Sequence, residues 1–334
     1  MRVPSASRAA VAGPVVAALV ALCISGCGAS AVTRSKAATD GPVTTTTTTT
    51  TTPLPGAGKP QLIIGDMNFT EQFVLGELYA EALGAQGYSV QLNSNIGPTS
   101  VTLAALADGQ LDMYPEYLGA WDYDIAHHRG AFRTGAAAYE AGQEYAATHN
   151  LTLLNPTPFS DTDAIAVTVA YAEQHHLRSI GDLRRVAAGL AFGGPPQFEQ
   201  SNPGLPSVEQ VYGFAPAGYT PLDIGAQYTE LDDGSIQAAD VDTTDGQLAS
   251  GDYTVLRDPR NVFGWGQAVP VVSTKVLDEE GPEFAETINN VDALLSLSAI
   301  RWLNAEVDVA HRDPASVARE FLETHGLIPP GSSS

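Results

Sequence analysis

The chain has 334 residues, with 38 Asp and Glu against 16 Lys and Arg and a formal net charge of −22 at pH 7. So acidic a balance argues against nucleic-acid binding, which needs clustered Lys and Arg to neutralise phosphates, and against electrostatic adhesion to anionic lipid. The 44% apolar content is too high for wholesale disorder, and the length suits one large domain or two medium ones.

Arg2 and Arg8 precede an apolar stretch from Val11 to Leu22, interrupted by Gly13 and Pro14. A basic head followed by a short apolar run predicts a secretory signal over 1–26, too short to span a bilayer. The run closes in Ile24-Ser25-Gly26-Cys27, which resembles a bacterial lipobox. That resemblance implies cleavage after Gly26 and lipidation of Cys27, anchoring the protein to the lipid bilayer at the outer face of the cytoplasmic membrane. Cys23 would leave with the signal, so the mature domain has no thiol for a disulfide, a thiolate metal site or a nucleophile. Cleavage also removes Arg2 and Arg8 and no acid, making the mature chain more negative by two charges.

Residues 27–60 read as a tether. Thr44 to Thr52 is an unbroken run of nine threonines, flanked by Gly41-Pro42 and Pro53-Leu54-Pro55-Gly56. Such a segment has too little apolar surface to offset its ordering entropy. As a flexible coil it would hold the folded part roughly 30–35 Å from the lipid. Its threonines are candidate O-glycosylation sites.

From Gln61 the pattern alternates strand and helix. Gln61-Leu62-Ile63-Ile64-Gly65 is a short apolar run closed by glycine, the signal of a buried strand. Thr70 is the expected N-cap of a helix with Glu71 in its first turn and Phe73, Leu75, Leu78, Tyr79, Ala82 and Leu83 at helical spacing. Tyr88 to Leu92 alternates as a second strand, Val101 to Leu106 forms a short helix, and Leu111 to Tyr114 a third strand. This β-α-β-α-β order argues for parallel pairing. Further strands are expected at 164–169, 237–241 and 269–273, and Leu190-Ala191-Phe192 leads into a loop, Gly193-Gly194-Pro195-Pro196. Helices are expected at 180–186 after Ser179, at 283–297 and at 314–323. Two open α/β sheets facing a cleft fit this order, with ligand-binding loops beyond the strand C-termini.

Motifs for catalysis are missing. No G-x-S-x-G elbow, phosphate loop or strand-adjacent G-x-G-x-x-G occurs. The pairs His127-His128 and His175-His176 are adjacent, so their rings point apart and chelate poorly. Asp232-Asp233-Gly234 lacks the EF-hand pattern and reads as a turn. Neither an enzyme, nor a metal site, nor a cofactor is expected.

The segment Gly65-Asp66-Met67-Asn68-Phe69-Thr70-Glu71-Gln72-Phe73-Val74-Leu75-Gly76-Glu77 resembles the opening of the substrate-binding proteins of osmoprotectant ABC importers, which serve glycine betaine, choline, carnitine and proline betaine. The likeness continues in Gly109 to Gly119, at Thr243-Thr244-Asp245-Gly246, and in the helices around Leu303-Asn304 and Val317 to Leu327. The resemblance implies a two-lobed type II periplasmic-binding-protein fold, each lobe a mostly parallel sheet, with the ligand between them. Residues 61–160 plus 243–328 would form one lobe and 161–242 the other.

The same resemblance implies a tyrosine cage for a quaternary ammonium, held by cation–π attraction, and a Lys and an Arg for a betaine carboxylate. Tyr117 matches a cage tyrosine, Gln72 a polar contact, and Tyr219 a further cage position. Elsewhere the chain departs from the pattern. Met67 stands where a lysine is expected, Ser201 where an arginine is, Asp163 and Asp242 where tyrosines are, and Ala120 where a threonine is. Trp121 and Tyr123 either pack or line the cleft, with packing preferred. Trp265 is a candidate for touching a ligand or partner, and Trp302 for the core.

Losing both cationic anchors while gaining two acids disfavours a carboxylate ligand. The expectation is a monomeric, extracytoplasmic solute-binding lipoprotein that delivers an osmoprotectant-like small molecule to ABC permease subunits. Its ligand would lack a carboxylate and be cationic, polyhydroxylated or aromatic. The alternative is a ligand-sensing lipoprotein that signals to a membrane receptor.

Overall fold

The computed structural model describes residues 53–128 and 130–331. The expected signal, Cys27 and the threonine run lie outside them. The end of the expected tether does not. Residues 53–60 form a turn in which the Gly56 amide donates to the Gln86 carbonyl at 3.0 Å and Lys59 Nζ to the Glu279 carbonyl at 2.7 Å. Gly56 is buried, and a Cβ there would sit 2.3 Å from the Tyr88 amide nitrogen. The folded domain therefore begins before Gln61, because this close approach and not apolar content seats the turn.

Two five-stranded sheets organise the chain. The first contains β1 (Gln61–Gly65), β2 (Ser89–Asn93), β3 (Met113–Tyr117), β4 (Leu151–Leu153) and β10 (Ala268–Ser273), in the order β2-β1-β3-β10-β4. The second contains β5 (Asp163–Thr168), β6 (Ala191–Gly194), β7 (Gly218–Pro221), β8 (Ala238–Asp242) and β9 (Tyr253–Leu256), in the order β7-β6-β8-β5-β9. Both sheets are mixed. β1 pairs in parallel with β2 and β3, while β10 runs antiparallel to β3 and β4. In the second sheet β6 is parallel to β7 and β8, and β5 is antiparallel to β8 and β9. The expected mostly parallel sheets are corrected on this point: β5 and β10 each enter directly from the opposite sheet, so no crossover helix turns them around. Sheet membership also places β9 in the second sheet, although the sequence reading grouped everything after 243 with the first lobe.

The helices are α1 (Thr70–Ala85), α2 (Thr99–Ala107), the single turn α3 (Leu118–Ala120), α4 (Gly135–Ala147), α5 (Val169–His175), α6 (Leu205–Tyr212), α7 (Ala226–Asp232), α8 (Thr274–Glu280), α9 (Pro282–Asp292), α10 (Leu297–Asp308) and α11 (Pro314–Thr324). Phe69, not Thr70, is the N-cap of α1, and the Thr70 hydroxyl donates instead to Asp308 at 2.6 Å. The helix expected over 283–297 is two helices. The chain turns after Asp292, and Ser296 caps α10 by accepting from the Ala299 amide.

Strand alternation loads both faces of each sheet. From β3 and β10, Met113, Tyr117, Ala268 and Val272 enter a core with α1, α9, α10 and α11, while Tyr114, Val269 and Val271 enter another with Trp121 and Ala146. In the second sheet Ile165, Val167 and Ala238 face one core, and Ala164, Ala166, Ala239 and Val241 the other.

Between the sheets the chain passes through residues 154–162 and 257–267, and these segments hydrogen-bond to each other. The Asp161 amide donates to the Gly266 carbonyl at 2.8 Å, and the Gly266 amide to Ser160 Oγ at 2.9 Å. A Cβ on Gly266 would lie 1.6 Å from the Asp161 carbonyl oxygen. Gly266→Ala must part these segments and is expected to cost about 3 kcal/mol, read as a lower urea midpoint at unchanged slope. Gly84→Ala, in a helix with open space around it, should instead gain about 0.5–1 kcal/mol in the same assay.

Candidate ligand-binding site

A cavity of about 570 Å³ opens between the two sheets and their connecting segments. One wall grows from the end of β3. Tyr117 leads into α3 and then a π-helical turn, Trp121–Ile125, which presents Tyr123 and Asp124. The wider turn changes which side chains face inward, a frequent use of π-helical geometry at binding sites. Trp121 itself is fully buried and donates to the Gly142 carbonyl at 3.2 Å, so it packs as preferred. Phe132 and His128 stack on each other at 4.1 Å between ring centres and extend the same wall.

The opposite wall brings Asp163, Asp242, Asn202, Pro203 and Phe263. Trp265 closes the rim, and its indole nitrogen donates to the Phe132 carbonyl at 3.1 Å. Aromatic rings and carboxyls thus dominate the lining. No Lys or Arg is among the described lining residues.

Antiparallel register places Asp163 directly opposite Asp242, on the face shared with Asp240. Like charges so paired repel. Enclosure by the walls pushes Asp163 up to about 6. Asp242 is open to the cavity water, yet surrounding protein, followed by Asp163, raises it to about 7. Deeper in, burial and then the charge of Asp163 push Asp240 up to about 10, and its Oδ1 has no hydrogen-bond partner among the described residues. Asp161 is held well above the usual carboxylate range by enclosure and then by Glu71 and Asp242.

Among the residues expected at the site, Tyr117, Asp163 and Asp242 line the cavity, as do Ala120 and Trp265. The structure places the others elsewhere. Met67 is packed in the core of the first sheet, with the Thr99 hydroxyl 3.5 Å from its sulfur. Gln72 is buried on α1, where its Oε1 accepts from the Met67 amide at 3.2 Å. Ser201 bonds the Pro203 carbonyl at 2.8 Å, and only its neighbours Asn202 and Pro203 reach the cavity. Tyr219 stacks on Phe192, and its hydroxyl donates to the Pro195 carbonyl at 2.7 Å, beneath Gly194. Tyr123, for which packing was preferred, lines the cavity and is half exposed.

Sequence reasoning passed over Phe132, His128, Asp161 and Phe263. Phe263 belongs to the Phe-Gly-Trp-Gly segment that drew attention to Trp265, and Asp161 lies two residues before Asp163. The 128–132 loop has no periodicity to announce it.

Residues 60–324 match the family described as the substrate binding domain of ABC-type glycine betaine transport systems. The chain belongs to this family. It is 32% identical over 283 residues to the Glycine-betaine-binding protein of Pseudomonas aeruginosa, covering 81% of this chain and 90% of that one. It is 30% identical over 277 residues to the Glycine betaine-binding protein YehZ of Escherichia coli, covering 79% and 90%. A solved structure titled as a glycine betaine/carnitine/choline ABC transporter superposes with a TM-score of 0.75 at 25% identity, covering 80% of this chain and 99% of that one. The protein is thus a binding protein of an osmoprotectant ABC importer, and its family consists of carriers rather than enzymes.

The raised carboxyls give a defined pH response. Groups whose folded pKa exceeds the unfolded value bind more protons when folded, so they favour the folded state as pH falls. With Asp163 near 6 and Asp242 near 7, the ligand-free protein should melt higher at about pH 5.5 than at pH 8. Asp242→Asn should raise the pH 8 midpoint and flatten the dependence, as calorimetric scans would record.

Proposed function

We propose that this protein is a lipid-anchored, extracytoplasmic binding protein that carries a small carboxylate-free organic cation, of the choline type, to its permease. The pairing of Asp163 with Asp242 in a lining without a described Lys or Arg carries this reading. A quaternary ammonium donates no conventional hydrogen bond and is held by ring faces and nearby negative charge. Tyr117, Phe132 and Trp265 supply rings, and the two aspartates supply charge. A betaine carboxylate entering the same space would meet like charges and no cationic partner among the described lining residues. The thin paired segments between the sheets support closure on the ligand, which would favour the state that docks on the permease. The lipobox-like Ile24-Ser25-Gly26-Cys27 supports the anchor.

Calorimetry should find choline bound more tightly than glycine betaine. The double variant Asp163→Asn, Asp242→Asn should weaken choline by about tenfold or more, since it removes the coulombic attraction of two carboxylates for the ammonium and tenfold corresponds to only about 1.4 kcal/mol. Choline binding should also strengthen from pH 5.5 to pH 8 as the carboxyls lose their protons. Glycine betaine binding at least as tight as choline would overturn the ligand reading. For the anchor, Cys27→Ser should move the protein from the membrane fraction to the soluble extracytoplasmic fraction; unchanged membrane retention would refute lipidation at that residue.

A further inference from the structure

Glu71 stands behind the cavity wall, buried on the first turn of α1. Its Oε1 accepts the Tyr117 hydroxyl at 2.7 Å, and its Oε2 accepts Asn304 Nδ2 at 2.8 Å. Asn304, on α10, also donates to the Thr244 carbonyl at 3.0 Å. The Thr244 hydroxyl in turn donates to Asp161 Oδ1 at 2.9 Å. Two cavity residues, Tyr117 and Asp161, are therefore joined from behind by side chains of α1, α10 and the segment that follows β8. The nearby Arg301 Nε donates to the Thr243 carbonyl at 2.7 Å and pins that segment to α10.

Burial raises the pKa of Glu71, but both of its oxygens accept hydrogen bonds, from Tyr117 and Asn304, and these oppose that rise in the arrangement an ionised carboxylate satisfies. The other titratable groups around it are Asp161 on a connecting segment, Asp242 at the end of β8 and Asp245 just beyond it, Tyr79 on its own helix, and Tyr117. A phenol that donates to a carboxylate gains electron density, and the face of its ring attracts a cation more strongly. The Tyr117 ring is also fixed in place, with Phe69 at 5.9 Å between centres. We propose that Glu71 is a positioning residue that sets ligand specificity without touching the ligand. Its charge strengthens Tyr117 as a cation-binding ring, and through Asn304 and Thr244 it ties that ring to the segment bearing Asp242. This inference rests on the reading that a quaternary ammonium enters the cavity.

The test uses the full-length protein and two probes, choline and glycine betaine, both of which carry the ammonium group. Glu71→Gln keeps the size and an acceptor for Tyr117 but removes the charge; Glu71→Leu removes both. In the ligand-free protein, the carbon-13 resonance of Tyr117 Cζ, assigned with Tyr117→Phe, should move toward that of a neutrally bonded phenol in Glu71→Gln. An unmoved resonance overturns the electronic coupling. By calorimetry, Glu71→Gln should weaken whichever probe the wild type binds by about tenfold, with a melting temperature close to wild type. A purely structural role would lower the melting temperature and leave the affinity of the folded protein unchanged, which overturns the inference. Glu71→Leu should lose at least as much affinity as Glu71→Gln; affinity retained in both variants overturns it as well. A wild-type protein that binds neither probe overturns the ligand reading and the specificity role with it, whereas binding that is indifferent to Glu71 overturns the specificity role alone.

Discussion

Antiparallel register sets Asp163 against Asp242 at the mouth of the second sheet, and much of the site depends on that like-charged pair. A repulsive pair costs stability, so the surrounding strands must hold it in place. Ile165 and Val167, a few residues along β5, and Ala238, Ala239 and Val241 on β8 are fully or almost fully buried, and their packing offsets the repulsion. The charges sit where the sheet runs out of core and meets water. There the repulsion is relieved by proton uptake or by a cation.

The connecting segment 154–162 and the residues that follow β8 converge on the same place. Asp161 and Thr162 lead into β5, and Thr243 and Thr244 lead out of β8. The Thr243 amide donates to the Thr162 carbonyl at 2.9 Å, and the Thr162 amide donates to Thr243 Oγ1 at 3.0 Å. Any event at the aspartate pair is thus felt by the residues through which the sheets are joined. Each sheet is stiff because both of its faces are packed, so relative motion concentrates in these few residues.

Much of the architecture was legible in local pattern. The apolar run Leu62-Ile63-Ile64 and the alternation in 88–92 gave β1 and β2 to within a residue. The short helix expected after Ser179 is present as a 3₁₀ helix, Ile180–Arg185, and the structure shows Ser179 forming a capping box with Asp182. The elements that escaped lack such a pattern. β4 has three residues, β7 is mostly exposed, and α4 is rich in alanine and glycine with little apolar contrast. Strand direction was also illegible, because the residues of β5 and β10 pack in the same alternating way whichever neighbour they pair with.

For the site, residue identity was informative only where position along a strand left one location. Asp163 opens β5 and Asp242 closes β8, both reaching the cavity, and Tyr117 ends β3 and does the same. Met67, Gln72 and Tyr219 lie near it in sequence pattern, but core packing and local hydrogen bonds turn their side chains away. Glu71 shows the reverse. By sequence it was an acid in a helix's first turn, suited to the helix dipole, whereas the fold buries it against Tyr117 and Asn304. Sequence alone determined the α/β order and the acidic character, because composition and periodicity are local properties. Only the tertiary structure decided that residues as distant as Glu71, Tyr117, Thr244 and Asn304 form one network, because those contacts arise when α10 packs back beside α1 and no local pattern encodes that return.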